Sequence, residues 1–129
     1  MEDRDEFLGG CARPVRPLYE RLIEDAVRSK CAVRYGEGTA TLMLPWDDED
    51  TVCVLRHAKK SQGDVILFSL EGMEARSSAE VADRFAEKVR GVQGLTVDGD
   101  VWLAVRDPGA APDKAQAALA RLVTGACKG

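Results

Sequence analysis

Residues 77–106 read SSAEVADRFAEKVRGVQGLTVDGDVWLAVR, and this stretch decides the fold. Ser77 stands three positions before Glu80, the spacing of a capping box, in which each side chain satisfies an orphan N–H at a helix start. Val81, Ala82, Phe85 and Val89 follow at helical spacing and form one apolar stripe, so a helix capped by Ser77 is expected, closed by Gly91 or Gly94. Residues 95–97 and 101–106 then flank Asp98-Gly99, the dipeptide of a two-residue hairpin turn. A capped helix that hands over to a hairpin narrows the architecture to α+β.

Upstream, the chain predicts a helix and then a run of strands. Pro17 suits the first helical position, where its missing N–H is no loss. Leu18, Leu22, Ile23, Ala26 and Val27 make the apolar stripe of a helix over 17–30. Glu24 and Arg28 stand one turn apart and can pair on its wet side. Cys31, Val33 and Tyr35 share one face of a first strand, which Gly36-Glu37-Gly38 ends. Ala40, Leu42 and Leu44 share a face of a second, stopped by Pro45. A third covers 51–57, with Val52 and Val54 on one side and Cys53 and Leu55 on the other. Residues 65–70 are apolar at nearly every position, as in a central, covered strand. Short connections imply an antiparallel meander. Downstream, 108–112 is a linker, and a last helix from about Pro112 buries Ala115, Ala118, Leu119, Leu122 and Val123, with Ala126 at its far end. Residues 1–16, charged and then broken by Gly9, Gly10, Pro14 and Pro17, read as a flexible tail whose only anchors are Phe7 and Leu8. The expected whole is one domain over 17–129: helix, antiparallel meander, helix, hairpin, helix, with one sheet packed against the helices.

Composition bounds the function. A chain of 129 residues, 45% hydrophobic and 31% charged, is long enough for one real core. Its net charge of −4 and pI near 5.1 argue against nucleic acid, and the basic residues are scattered rather than gathered into a stripe. No window approaches the ~20 apolar residues of a membrane span. The acidic N-terminus has no apolar run, so no secretory leader is expected. Cys11, Cys31, Cys53 and Cys127 form no CxxC pair and are expected to be free thiols in a reducing cytoplasm.

Candidate chemistry is sparse. His57 is the one histidine, placed at a strand end where a rim position is expected. Cys53 lies four residues before it on the same strand face, about 13 Å away, too far to share a tetrahedral metal. Asp47-Asp48-Glu49-Asp50 offers oxygens for a cation but lacks the spacing and glycine of a calcium loop, so a solvated turn is the reading. Lys59-Lys60 is a basic loop that can face an acidic partner. Gly36-Glu37-Gly38 has no following helix to cradle a phosphate. Cys31 sits at the helix end that does not lower a thiol pKa, and Cys127 falls in a fraying terminus. No catalytic, cofactor or metal residue is therefore nominated. The interface candidates are Trp46, Trp102, Leu18 and Leu22, since apolar groups left over by a sheet mark contact surfaces. Whether Trp102 or its neighbours Val101 and Leu103 face outward stays open.

The order of elements resembles the type III secretion chaperone-like architecture, and in particular the bacterial YbjN-type domains of that superfamily. The helix 18–30, the meander 31–70, the Ser77-capped helix, the segment Gly94-Leu95-Thr96-Val97-Asp98-Gly99-Asp100-Val101-Trp102-Leu103 and the closing helix carry the likeness. Two features depart from it: four strand segments precede the second helix where three are usual, and Lys88-Val89-Arg90-Gly91 replaces an asparagine-rich helix end. The resemblance implies a non-enzymatic, often dimeric protein that binds a partner segment or supports an assembly. The leading expectation is thus a chaperone- or adaptor-like protein-binding module acting as a homodimer. The alternative is a small-molecule sensor with a pocket between sheet and helices. An enzyme stands third.

Overall fold

Asp3 accepts a hydrogen bond at Oδ1 from the Glu6 N–H at 3.0 Å, which caps a first helix, α1, over Arg4–Gly10. The computed structural model describes residues 3–44, 51–57 and 63–127. Where a tail is expected, then, there is a helix, and the reason is burial. Phe7 and Leu8 enter the core, Phe7 stacks on Tyr19 with ring centroids 5.9 Å apart, and Arg4 pairs with Glu24 at 2.9 Å. That pairing also displaces the expected Glu24–Arg28 contact, and Arg28 turns to Asp25 at 3.3 Å.

The second helix, α2, runs over Arg16–Arg28 with Pro17 in its first turn. Leu18, Leu22, Ile23 and Ala26 are buried as the stripe predicts, but Val27 is 59% exposed and Tyr19 takes the remaining inward position. Four strands follow, β1 (Ala32–Gly36), β2 (Thr39–Met43), β3 (Thr51–Arg56) and β4 (Val65–Ser69), paired antiparallel as a meander. The Tyr19 hydroxyl lies 2.8 Å from the Arg56 carbonyl and 3.1 Å from that of Val65, so one donor clasps the facing ends of β3 and β4.

Ser69 ends β4 and caps the next helix, α3 (Leu70–Arg76), by accepting from the Gly72 N–H. The sequence reading has no helix there. The following helix, α4, spans Ala79–Arg90. Its cap is Ser78, whose Oγ accepts from the Val81 N–H at 3.1 Å, whereas Ser77 is occupied as the C-cap of α3. The buried stripe also differs from the expected one. Ala82, Ala86 and Val89 are buried, Phe85 packs edge-on against Phe68, and Val81 faces outward.

Two more strands, β5 (Thr96–Asp98) and β6 (Trp102–Arg106), complete a six-stranded antiparallel sheet in the order β1-β2-β3-β4-β6-β5. Their connection corrects the expected two-residue turn. Asp98 is registered with Ala104, and residues 99–103 bridge the strands. Gly99 is indispensable to that loop: its φ is +93°, and a Cβ there would lie 2.1 Å from the Trp102 carbonyl oxygen. β6 also inserts between β5 and β4, pairing Leu103 with Phe68 and Val105 with Ile66. A short 3₁₀ turn over Pro108–Ala110 leads to α5 (Asp113–Cys127).

The core lies on one face of this sheet. Val33, Leu42, Cys53, Phe68 and Leu103 form one row across it, and Tyr35, Ala40, Leu55, Ile66, Val105 and Val97 form the next. Every α-helix sends side chains into the layer above those rows or packs beside it: Phe7, Leu22, Leu70, Val89 and Leu119 are examples. At roughly 1.5–3 kcal/mol for each large side chain buried, this single interface holds the molecule together.

Candidate functional site

Two surfaces stand apart from that core, the second face of the sheet and a cavity in the helical layer. The second face follows from strand alternation. Arg34, Thr41, Val54, Leu67, Ala104 and Asp98 are direct neighbours in one cross-strand row, one residue from each of β1, β2, β3, β4, β6 and β5. Trp102, two residues from Ala104, shares this face, and Ser69 is its partner on β4. None of these residues belongs to the core cluster. Trp102 is 45% exposed, and Val101 beside it is 57% exposed. The open choice at Trp102 is thereby resolved: Leu103 and Val105 point into the core, and Trp102 points away. The row ends in opposite charges, Arg34 at the β1 edge and Asp98 at the β5 edge, where Asp98 accepts from Arg106 at 2.8 Å.

The cavity measures about 540 Å³ and opens between α3, α4 and α5, among helices rather than between sheet and helices. Met73, Phe85 and Leu122 contribute apolar wall, and Arg76, Lys88 and Arg121 contribute charge. Sequence reasoning misses Arg76 and Arg121 as a pair, because without α3 nothing carries Arg76 toward α5. The signal was available in Ser69 followed by the helix formers Leu70, Glu71, Met73, Glu74 and Ala75.

The other sequence-nominated residues are distributed differently. Leu18 and Leu22 lie inside the chain's own core and offer no surface to a partner. Trp46, the acidic run 47–50 and Lys59-Lys60 fall outside the described residues. His57 is not a rim residue: it is buried beneath α1, 5.5 Å from the Phe7 ring. The approach is so close that a Cβ on Gly10 would sit 2.7 Å from its Nε2. All four cysteines are buried and outside any disulfide, including Cys127, which the closing helix carries into the core. The Cys31 thiol donates to the Cys127 carbonyl at 3.3 Å. Burial pushes the Cys53 thiol well up, with Cys127 and Cys31 adding to the effect as neighbours. Cys31 and Cys127 are raised for the same first reason. Such thiols are poor nucleophiles. Among the described residues no group of three or more His, Cys, Asp or Glu is placed to hold a metal, and no helix is long and apolar enough to cross a membrane. Compared with family models, curated proteins and solved structures, the chain matches none.

Proposed function

We propose that this chain is an adaptor- or chaperone-like protein-binding module that pairs with a second copy of itself through the second face of its sheet. The observation that carries the reading is the six-residue row with Val54, Leu67 and Ala104 at its centre and Trp102 beside it, on the face turned away from the core cluster, where Trp102 is exposed and Val54 and Leu67 are half-buried. Large aromatic side chains in a shallow apolar setting are the usual anchors of protein interfaces. The charges choose the partner. A two-fold axis parallel to the strands lays β1 of one copy over β5 of the other, so Arg34 meets Asp98 twice in a self-complementary contact. Four cysteines outside any disulfide fit a reducing, cytoplasmic setting, and the resemblance in element order to the type III secretion chaperone-like domains points to the same kind of role.

Native mass spectrometry and light scattering across a concentration series test this. The wild-type chain is expected to be a dimer, and Trp102→Asp a monomer with an unchanged circular dichroism spectrum. Arg34→Asp should weaken the dimer, and adding Asp98→Arg should restore it. A wild-type chain that stays monomeric at high concentration, or a dimer indifferent to all three variants, would overturn the reading.

A further inference from the structure

The cavity between α3, α4 and α5 has an electrostatic character opposite to that of the whole chain. The protein carries −4, yet four of the cavity's lining residues are cations, Arg76, Arg84, Lys88 and Arg121, and none is an acid. Arg84 is countered, since it pairs with Glu80 one turn earlier. The other three form no ion pair among the described residues. They come one from each helix, Arg76 from α3, Lys88 from α4 and Arg121 from α5. Like charges gathered round one opening repel one another, and an anion placed among them relieves that repulsion. Arg76 also holds a buried Nη1 with no hydrogen-bond partner among the described residues, an unmet donor of the kind that normally has a reason.

The rest of the lining is largely apolar. Met73, Val81, Phe85, Leu122 and Ala126 belong to it, and the Phe85 ring is held edge-on by Phe68 from the sheet, 5.0 Å away between centroids. The volume of about 540 Å³ lies within the usual range for small-molecule sites, roughly 300–1,000 Å³. A highly polar anion would leave this wall dry and unfilled, and a neutral hydrocarbon would leave three cations uncompensated. We infer that the cavity is a binding site for an anionic amphipath, with a carboxylate or phosphate head held by Arg76, Lys88 and Arg121 and an apolar chain laid along Phe85 and Leu122. The site is in the helical layer, so it stands independently of pairing through the sheet.

Gly125 supplies the decisive variant. It lies on α5 in the cavity wall, and a Cβ built there meets nothing within 4 Å. A leucine at this position has open space beside the cavity wall to occupy without a clash and improves the helix, since glycine is the poorest interior residue after proline. Isothermal titration calorimetry of the full chain with dodecanoate, dodecyl phosphate, dodecyltrimethylammonium and inorganic phosphate is the test. Both anionic amphiphiles should bind, and their ratio distinguishes a fatty-acid head from a phospholipid-like one. Inorganic phosphate and the cationic amphiphile should bind at least roughly tenfold more weakly, for want of the tail and of the charge match respectively. Arg121→Glu should reduce affinity for both anionic amphiphiles by roughly tenfold or more, and Gly125→Leu should abolish it while leaving the thermal midpoint equal or higher. Equal binding of the cationic amphiphile, undiminished binding by Gly125→Leu, or no binding of either anionic amphiphile would overturn the inference.

Discussion

Gly99 shows how much one residue can specify here. An aspartate-glycine pair in a two-residue turn needs left-handed backbone, and Gly99 does have a φ of +93°. The strands nevertheless close around a five-residue loop: the pairing of β5 with β6 stops at Asp98 and Ala104, while Trp102 and Leu103 are paired to β4. The glycine is then needed for a second reason, the carbonyl oxygen of Trp102, which stands where the Cβ of any other residue would go. Gly99→Ala is expected to cost about 2 kcal/mol from the backbone conformation alone, with more from the displaced carbonyl. Urea unfolding followed by tryptophan fluorescence measures it, and a loss below a few tenths of a kcal/mol would show that the loop relaxes freely. Asp98, by contrast, is exposed and pairs with Arg106 among the described residues, so its removal should hardly register in the stability of the single chain.

At the scale of elements, the neighbouring serines of the middle helix separate two roles that sequence spacing conflates. Ser78 caps α4 with its hydroxyl, and Ser77 uses only its backbone N–H, which donates to the Met73 carbonyl at the end of α3. Ser78→Ala should therefore lower stability by about 1 kcal/mol, and Ser77→Ala should leave it nearly unchanged. Paired chemical denaturation of the two variants decides, and the reverse order would restore the capping box to Ser77. The same comparison shows what was legible. The α+β class, the antiparallel meander, the central position of β4 and the helices over 16–28, 79–90 and 113–127 follow from periodicity, because each buries a full apolar stripe or strand. Two helices did not. Neither α1 nor α3 has more than seven residues, too few for a periodic signal, and each is fixed by what it lies against: Phe7 on Tyr19, and α3 on α4. The candidate site was legible only in part. Trp102 is identifiable as a residue of doubtful burial, but the cavity's cations come together only once α3, α4 and α5 are assembled round it.

For the whole molecule, the most general consequence of this core is its response to alkali. Tyr19 and Cys53 are fully buried, and burial raises both above their ordinary values of 10.0 and 9.0. The folded state keeps these protons while the unfolded chain releases them, so the unfolded state binds fewer protons at high pH. Stability is then level below about pH 9 and falls above it, by about 1.4 kcal/mol per pH unit for each group that ionises only on unfolding. Thermal midpoints from pH 7 to 11 check this. A midpoint flat to pH 11 would mean the core admits water. The thiols should likewise resist a disulfide reagent until the chain unfolds. The order in which the strands sit, set against the order in which they are made, has one more consequence. A ribosome delivers β1 to β4 first, and β4 then emerges with one flank paired to β3 and the other bare, because its second neighbour is β6 and not the next strand in line. Some thirty residues, β5 among them, must be synthesised before Trp102–Arg106 can cover that flank. The nascent chain thus carries an adhesive edge for much of its birth, and α3, which starts at the very next residue after β4, is the first piece of the molecule in a position to shield it.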